Sequence, residues 1–148
     1  MTELNSTLTD KTSNKHHLVE ALQEERSAVW SLYCQIAKLK PFASTAHIRP
    51  MLSEFSQLLI DYISLGHFGI YEHLLVEKQH QISVLSYAER IYPAFSSITA
   101  SAVSFSDAYD DGRRNFKTDN LAQDLSALGE RLAERMELED HLCSMLLH

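Results

Sequence analysis

Eight histidines, two cysteines and twenty acidic side chains are the groups in this chain with the chemistry to hold a metal or activate a nucleophile. Glu77 and His80 stand in E-x-x-H spacing, which puts a carboxylate and an imidazole on one side of a helix. A di-iron bundle centre needs two such pairs and two more inward carboxylates, and no second E-x-x-H occurs. His67 and His73 are too far out of phase to share a helix face, H-E-x-x-H is absent, and the tandem His16-His17 is a weak chelator at most. A metal-binding bundle or small enzyme built on Glu77, His80 and neighbouring histidines is therefore the alternative reading, and no cofactor is expected.

Nucleophilic and phosphate chemistry find even less support. There is no G-x-S-x-G, no P-loop and no dinucleotide turn, and the whole chain has only four glycines to supply one. Cys34 and Cys143 lie in apolar segments without C-x-x-C spacing, as suits small core residues in a reducing compartment. Cys34, among Leu32, Tyr33 and Ile36, is expected to be buried and inert.

Recognition chemistry is better represented. Residues 60–75, IDYISLGHFGIYEHLL, carry more apolar and aromatic groups than one buried helix face can hold. At about 100° per residue, Phe55, Leu59, Tyr62, Ile63, Gly66 and Ile70 fall in one sector. Asp61, Ser64, Phe68, Tyr71 and Leu75 fall in a second, on roughly the opposite side, provided the helix is continuous through Gly66. Such a helix is either central in a bundle or offers its second face to a partner, and rings beside an acid are the composition of a binding hot spot.

These residues need helices to position them. Four glycines and three prolines are too few for the turns of an all-β domain, and the apolar positions recur at three and four. Residues 1–13 are polar and aperiodic and are expected to form a mobile N-terminal arm, followed by a single domain over 14–148. A first helix runs from Ser13 or Asn14 to Pro41, on Leu18, Leu22, Val29, Leu32, Tyr33, Ile36 and Leu39. A second starts with Pro50 in its first turn and bends or breaks at Gly66-His67, with a further segment to about Gln79. The next begins at a capping box of Ser86 and Glu89, or earlier at Ser83, and Pro93 kinks or divides it. Residues 94–109 continue the apolar period, DDGRRNFKTDN closes it, and a last helix starts near Thr118 or Asp119. The fold class is all-α: an antiparallel bundle of four main helices, with room for an extra helical hairpin.

Composition narrows the partners. A hydrophobic fraction of 45% and a charged fraction of 22% exclude a disordered chain. The formal net charge of −7 repels nucleic acid and favours encounter with a basic surface. Asp124, Glu130, Glu134, Glu137, Glu139 and Asp140, interleaved with Arg131 and Arg135, read as a solvated face of the last helix or an acidic surface for a basic partner. No apolar run is long enough to span a bilayer, so no membrane association and a cytoplasmic location are expected.

LIDYISLGHFGIYEHLL resembles the signature of the Rsd/AlgQ family, through Asp61, Tyr62, Ser64, Gly66, His67, Phe68, Tyr71 and Glu72. LQEERSAVWSLYCQIAKLKP is similar to the family's first long helix through Arg26, Tyr33, Cys34, Gln35 and Pro41. LSALGERLAERMELEDHL resembles its last, through Leu125, Gly129, Glu130, Leu132, Arg135, Leu138, Glu139, Asp140 and Leu142. The resemblance implies a non-enzymatic anti-sigma factor that binds region 4 of the primary sigma factor, the part that reads the −35 promoter element and docks on the polymerase core. It implies a partner-binding segment including Asp61 and Phe68, to which the helical-face argument adds Ser64 and Tyr71. A monomer with no direct nucleic-acid contact is expected.

Overall fold

The computed structural model describes the backbone of residues 2–42, 45–109 and 117–148, and side chains over 14–42, 48–109 and 117–148. Its elements are α1 (Thr2–Ala37), α2 (Thr45–Ser64), a π-helical turn (Leu65–Tyr71), α3 (Glu72–Glu77), α4 (Ile82–Ala108) and α5 (Leu121–Leu147). The all-α bundle expected from the spacing is the observed architecture. Cross-contacts fix the chain directions. Arg26 reaches Asp140 and Tyr33 reaches Leu125, so α1 and α5 are antiparallel. Ser97 meets Arg131 and Tyr109 meets Asp124, so α4 and α5 are antiparallel too.

The apolar period identified the core. Leu22, Val29 and Ile36 of α1, Leu52, Phe55, Leu59 and Tyr62 of α2, Phe95, Ile98 and Ala102 of α4, and Leu121, Leu132 and Leu142 of α5 are all buried completely. Each side chain of leucine size so removed from water contributes roughly 1.5–3 kcal/mol, which is what holds amphipathic helices of ordinary propensity together. Tyr33 closes the α1–α5 seam by donating its hydroxyl hydrogen to Leu125 O at 2.9 Å, with its ring against Gly129, where any Cβ would collide with the phenol.

Several boundaries differ from expectation. Helix α1 begins at Thr2, so helical backbone runs through the segment read as an arm, whose side chains lie outside the described residues. Pro50 is the sixth residue of α2, not in its first turn. The α4 N-cap is Gln81, without a side-chain capping bond, and Ser86 and Glu89 lie inside the helix. Helix α4 also runs undivided through Pro93. That ring faces solvent between buried Ile91 and Phe95, so the helical hydrogen bond it cannot make falls on the wet side, where water can substitute. The segment DDGRRNFKTDN lies mostly outside the described residues, and α5 starts at Leu121.

Cys34 is exposed, correcting its expected burial. It sits two residues from both inward-facing Leu32 and Ile36, about 200° around the helix from each, so it turns away from the core. Cys143 is buried, and burial pushes its thiol up to about 11.

Candidate functional site: an acidic and aromatic ridge over a π turn

The chain neither breaks nor stays α-helical at Gly66-His67. From Leu65 to Tyr71 it forms a π turn that passes into α3, with the Glu72 N–H bonded to His67 O. The wider i→i+5 ring makes each residue advance less around the axis than in an α-helix. Residues after the turn therefore lag behind the α-helical phase, and the expected second face is redistributed. Asp61 remains exposed, Ser64 is half-buried and Phe68 stands 64% exposed.

Tyr71 does not join them. It is buried, stacks on Phe95 at 5.4 Å between ring centres, and donates its hydroxyl hydrogen to Ala88 O at 2.9 Å. Burial raises its phenol, with smaller contributions from Tyr92 and Glu89. Glu72, its neighbour, is exposed instead. The ridge thus runs Asp61, Ser64, Phe68, Glu72, and Tyr71 anchors it to α4 from below.

Two flanks frame the ridge. Towards α1, Gln57 Nε2 donates to Asp61 Oδ1 at 3.3 Å, and burial together with the Asp61 charge raises the Glu25 carboxyl. Towards α4, a groove of about 530 Å³ is lined by His67, Tyr71, Glu72, Leu75, Leu85, Glu89, Tyr92 and Pro93. The His67 ring sits edge-on to Phe68 at 4.9 Å, and its Nε2 lies 3.7 Å from Glu72 Oε1. An exposed ring, flanking carboxylates and an apolar groove can bind a surface carrying apolar knobs and cations.

Beneath the ridge lies a buried polar network that the spacing did not reveal as such. Arg135 and Glu139, read as part of a solvated face, are fully buried, which corrects that expectation. Arg135 Nε donates to Glu139 Oε2 at 3.0 Å, Nη2 to Ile63 O at 3.1 Å and Nη1 to Thr99 Oγ1 at 2.9 Å, while the guanidinium lies 3.8 Å from the Phe95 ring centre. Glu139 Oε1 accepts from the Tyr62 hydroxyl and from Arg26 Nη2 at 3.3 Å. Burial raises the Glu139 carboxyl and lowers the Arg135 guanidinium, and their mutual attraction opposes both shifts. The signal was present: Leu125, Leu128, Leu132, Arg135, Glu139 and Leu142 continue one stripe at spacings of three and four, with polar residues at two of its positions.

The groups weighed for metal chemistry are elsewhere. Glu77 pairs with Lys15 across the α1–α3 contact and His80 is exposed in the turn before α4. Among the described residues no three His, Cys, Asp or Glu side chains are grouped to hold a metal, and no helix is long and apolar enough to cross a membrane.

By fold this is an all-helical bundle protein, and its relatives are regulators. Residues 1–147 match the family described as "Regulator of RNA polymerase sigma(70) subunit, Rsd/AlgQ". The chain belongs to that family. It is 32% identical to a "Regulator of sigma D" of Enterobacter sp. (strain 638) over 147 residues, covering 95% of this chain and 86% of that one. A protein with the same description from Yersinia enterocolitica is 29% identical over 144 residues, covering 91% and 83%. One from Yersinia pseudotuberculosis is 29% identical, covering 91% and 82%. No solved structure matches the chain. Membership makes it a regulator of the sigma(70) subunit of RNA polymerase, in a family of regulators and not of enzymes.

Proposed function

We propose that the protein is an anti-sigma factor that acts in the cytoplasm as a monomer, binding region 4 of the primary sigma factor and covering the surfaces with which that region meets the −35 element and the polymerase core. The observation that carries the reading is Phe68, a phenylalanine held 64% exposed on a well-packed bundle beside the carboxylates of Asp61 and Glu72. Val76 and Ile82 are exposed as well, but Phe68 is the exposed ring that stands between carboxylates and beside an apolar groove, the composition of a binding hot spot. Region 4 is a basic helix-turn-helix unit, and a chain of net charge −7 attracts it while repelling the DNA that competes for the same surface. Asp61 and Phe68 carry the contact, with Ser64 at its edge. Tyr71, buried under the ridge, acts by supporting it and not by touching the partner.

The test is titration of the full chain with isolated region 4, beside full-length sigma factor and sigma factor lacking region 4. Saturable one-to-one binding to the first two, lost with the third, is the expected result. Equal binding to the truncated factor would place the contact on another sigma domain.

A further inference from the structure

The buried Arg135–Glu139 pair is hard to account for as a source of stability. Removing two ions from water carries a large desolvation cost, and apolar residues of similar volume in their place are often as stable or more so. What an ion pair supplies that apolar packing does not is direction, because every donor and acceptor must find its partner. Here the partners come from four helices: Arg26 of α1, Tyr62 and the Ile63 carbonyl of α2, Thr99 of α4, and the pair itself on α5.

The network converges on the point where α-helix passes into π turn. Arg135 Nη2 grips the carbonyl of Ile63, two residues before the turn begins at Leu65. An ideal Cβ built on Gly66 would lie 2.5 Å from Glu139 Oε2, so the carboxylate packs directly on the glycine and any side chain at residue 66 would have to displace it. Phe68 follows two residues later. π turns are uncommon and cluster at functional sites, and a widened ring can relax to the α-helical register unless its surroundings hold it.

We propose that Arg135 and Glu139 are positioning residues for partner binding: anchored on four helices, they hold the π turn in place and so set the direction in which Phe68 leaves the bundle relative to Asp61. The proposal rests on the reading of Phe68 as a contact to sigma region 4. Neither residue touches the partner, and their effect passes through Gly66 and Ile63.

A double-mutant cycle on the full chain separates this from a structural role. Arg135→Met removes the guanidinium and keeps apolar volume; Phe68→Ala removes the ring; the double variant carries both. With the helical circular dichroism retained, each single change is expected to weaken binding of isolated region 4 about tenfold or more, and the double change to be no worse than Phe68→Ala by more than about twofold, since a ring that is absent cannot be misdirected. Amide exchange in Arg135→Met is expected to accelerate over residues 65–71 ahead of the rest of the bundle. Gly66→Ala, which leaves every network residue intact and displaces the carboxylate, gives the same pattern should Arg135→Met fail to fold. Wild-type affinity in both folded variants, losses that multiply in the double variant, or exchange accelerated evenly over all helices would overturn the proposal. If wild-type protein does not bind region 4, or Phe68→Ala binds it normally, the functional reading fails instead, and exchange over 65–71 alone decides whether the pair holds the turn.

Discussion

Phe68 and Asp61 differ in what they bring to a contact, and the difference is measurable. A phenylalanine covered by a partner removes a large apolar area from water, and such rings are the residues whose truncation costs most at interfaces. We expect Phe68→Ala to weaken binding of sigma region 4 by about 2 kcal/mol, without lowering thermal stability, because the ring buries little within the chain. Asp61→Ala should also weaken binding, with the loss concentrated in the association rate and diminished by salt. The thiols give an independent check on the fold. Exposed Cys34 should react with a disulfide reagent at pH 8 within the mixing time of ordinary kinetics, and buried Cys143, its thiol pushed up to about 11, only as fast as the bundle opens. Two rapid equivalents in native protein would contradict the packing of α5. Phe68 was legible as a surplus apolar group at residue level, whereas Cys34 was misjudged because apolar neighbours in sequence were taken for neighbours in space.

The same limitation shows at the level of whole elements. Helical period located the α1, α2, α4 and α5 stripes, since a 3.6-residue repeat is set by burial alone. It could not reveal the π turn, because i→i+5 bonding has no composition signature and depends on what packs against it, here Glu139 against Gly66. Tyr71 was assigned to the ridge for that reason and lies in the core. Nor did the polar positions of α5 announce their burial, because a charged residue in a core stripe is credible only once its partners on other helices are known. Helix α3 is held at its far end by Lys15 and Glu77. The hydrogen bond from Lys15 keeps the Glu77 carboxyl below its usual value near 4.5, so the unfolded chain takes up this proton first as the pH falls. The pair's contribution is therefore full above about pH 4.5 and is lost as the pH falls through the lower native value. Being partly solvated, it contributes less than about 1 kcal/mol. Glu77→Gln should lower the melting temperature at pH 7 by about 3 °C or less, a gap that closes towards pH 3 in thermal melts. A gap that persists unchanged at pH 3 would mean the side chain stabilises by packing, not by charge.

For the molecule as a whole, charge and shape act over different distances. Twenty acidic against thirteen basic side chains give an attraction felt by a basic partner out to about a Debye length, roughly 10 Å at 0.1 M salt, whereas the proposed Phe68 contact would act only once water has been expelled. Encounter should therefore be electrostatic and residence apolar. Raising the salt from about 0.05 to about 0.5 M, over which the Debye length falls about threefold, is expected to slow association with region 4 by about tenfold and to change dissociation by less than about threefold, as read by stopped-flow or surface-based kinetics. Under the proposed function the split has a consequence, because −35 DNA, the proposed competitor for region 4, is itself a polyanion whose binding weakens steeply with salt. A regulator holding through a desolvated ring keeps its grip under ionic conditions that loosen DNA, so its advantage over promoter DNA should grow as salt rises even though its own association slows. Competition between this protein and −35 duplex for labelled region 4, measured across that salt range, tests the point. A midpoint that moves in favour of DNA at high salt would show that the complex is held by charge throughout, and that Phe68 does not carry the residence time.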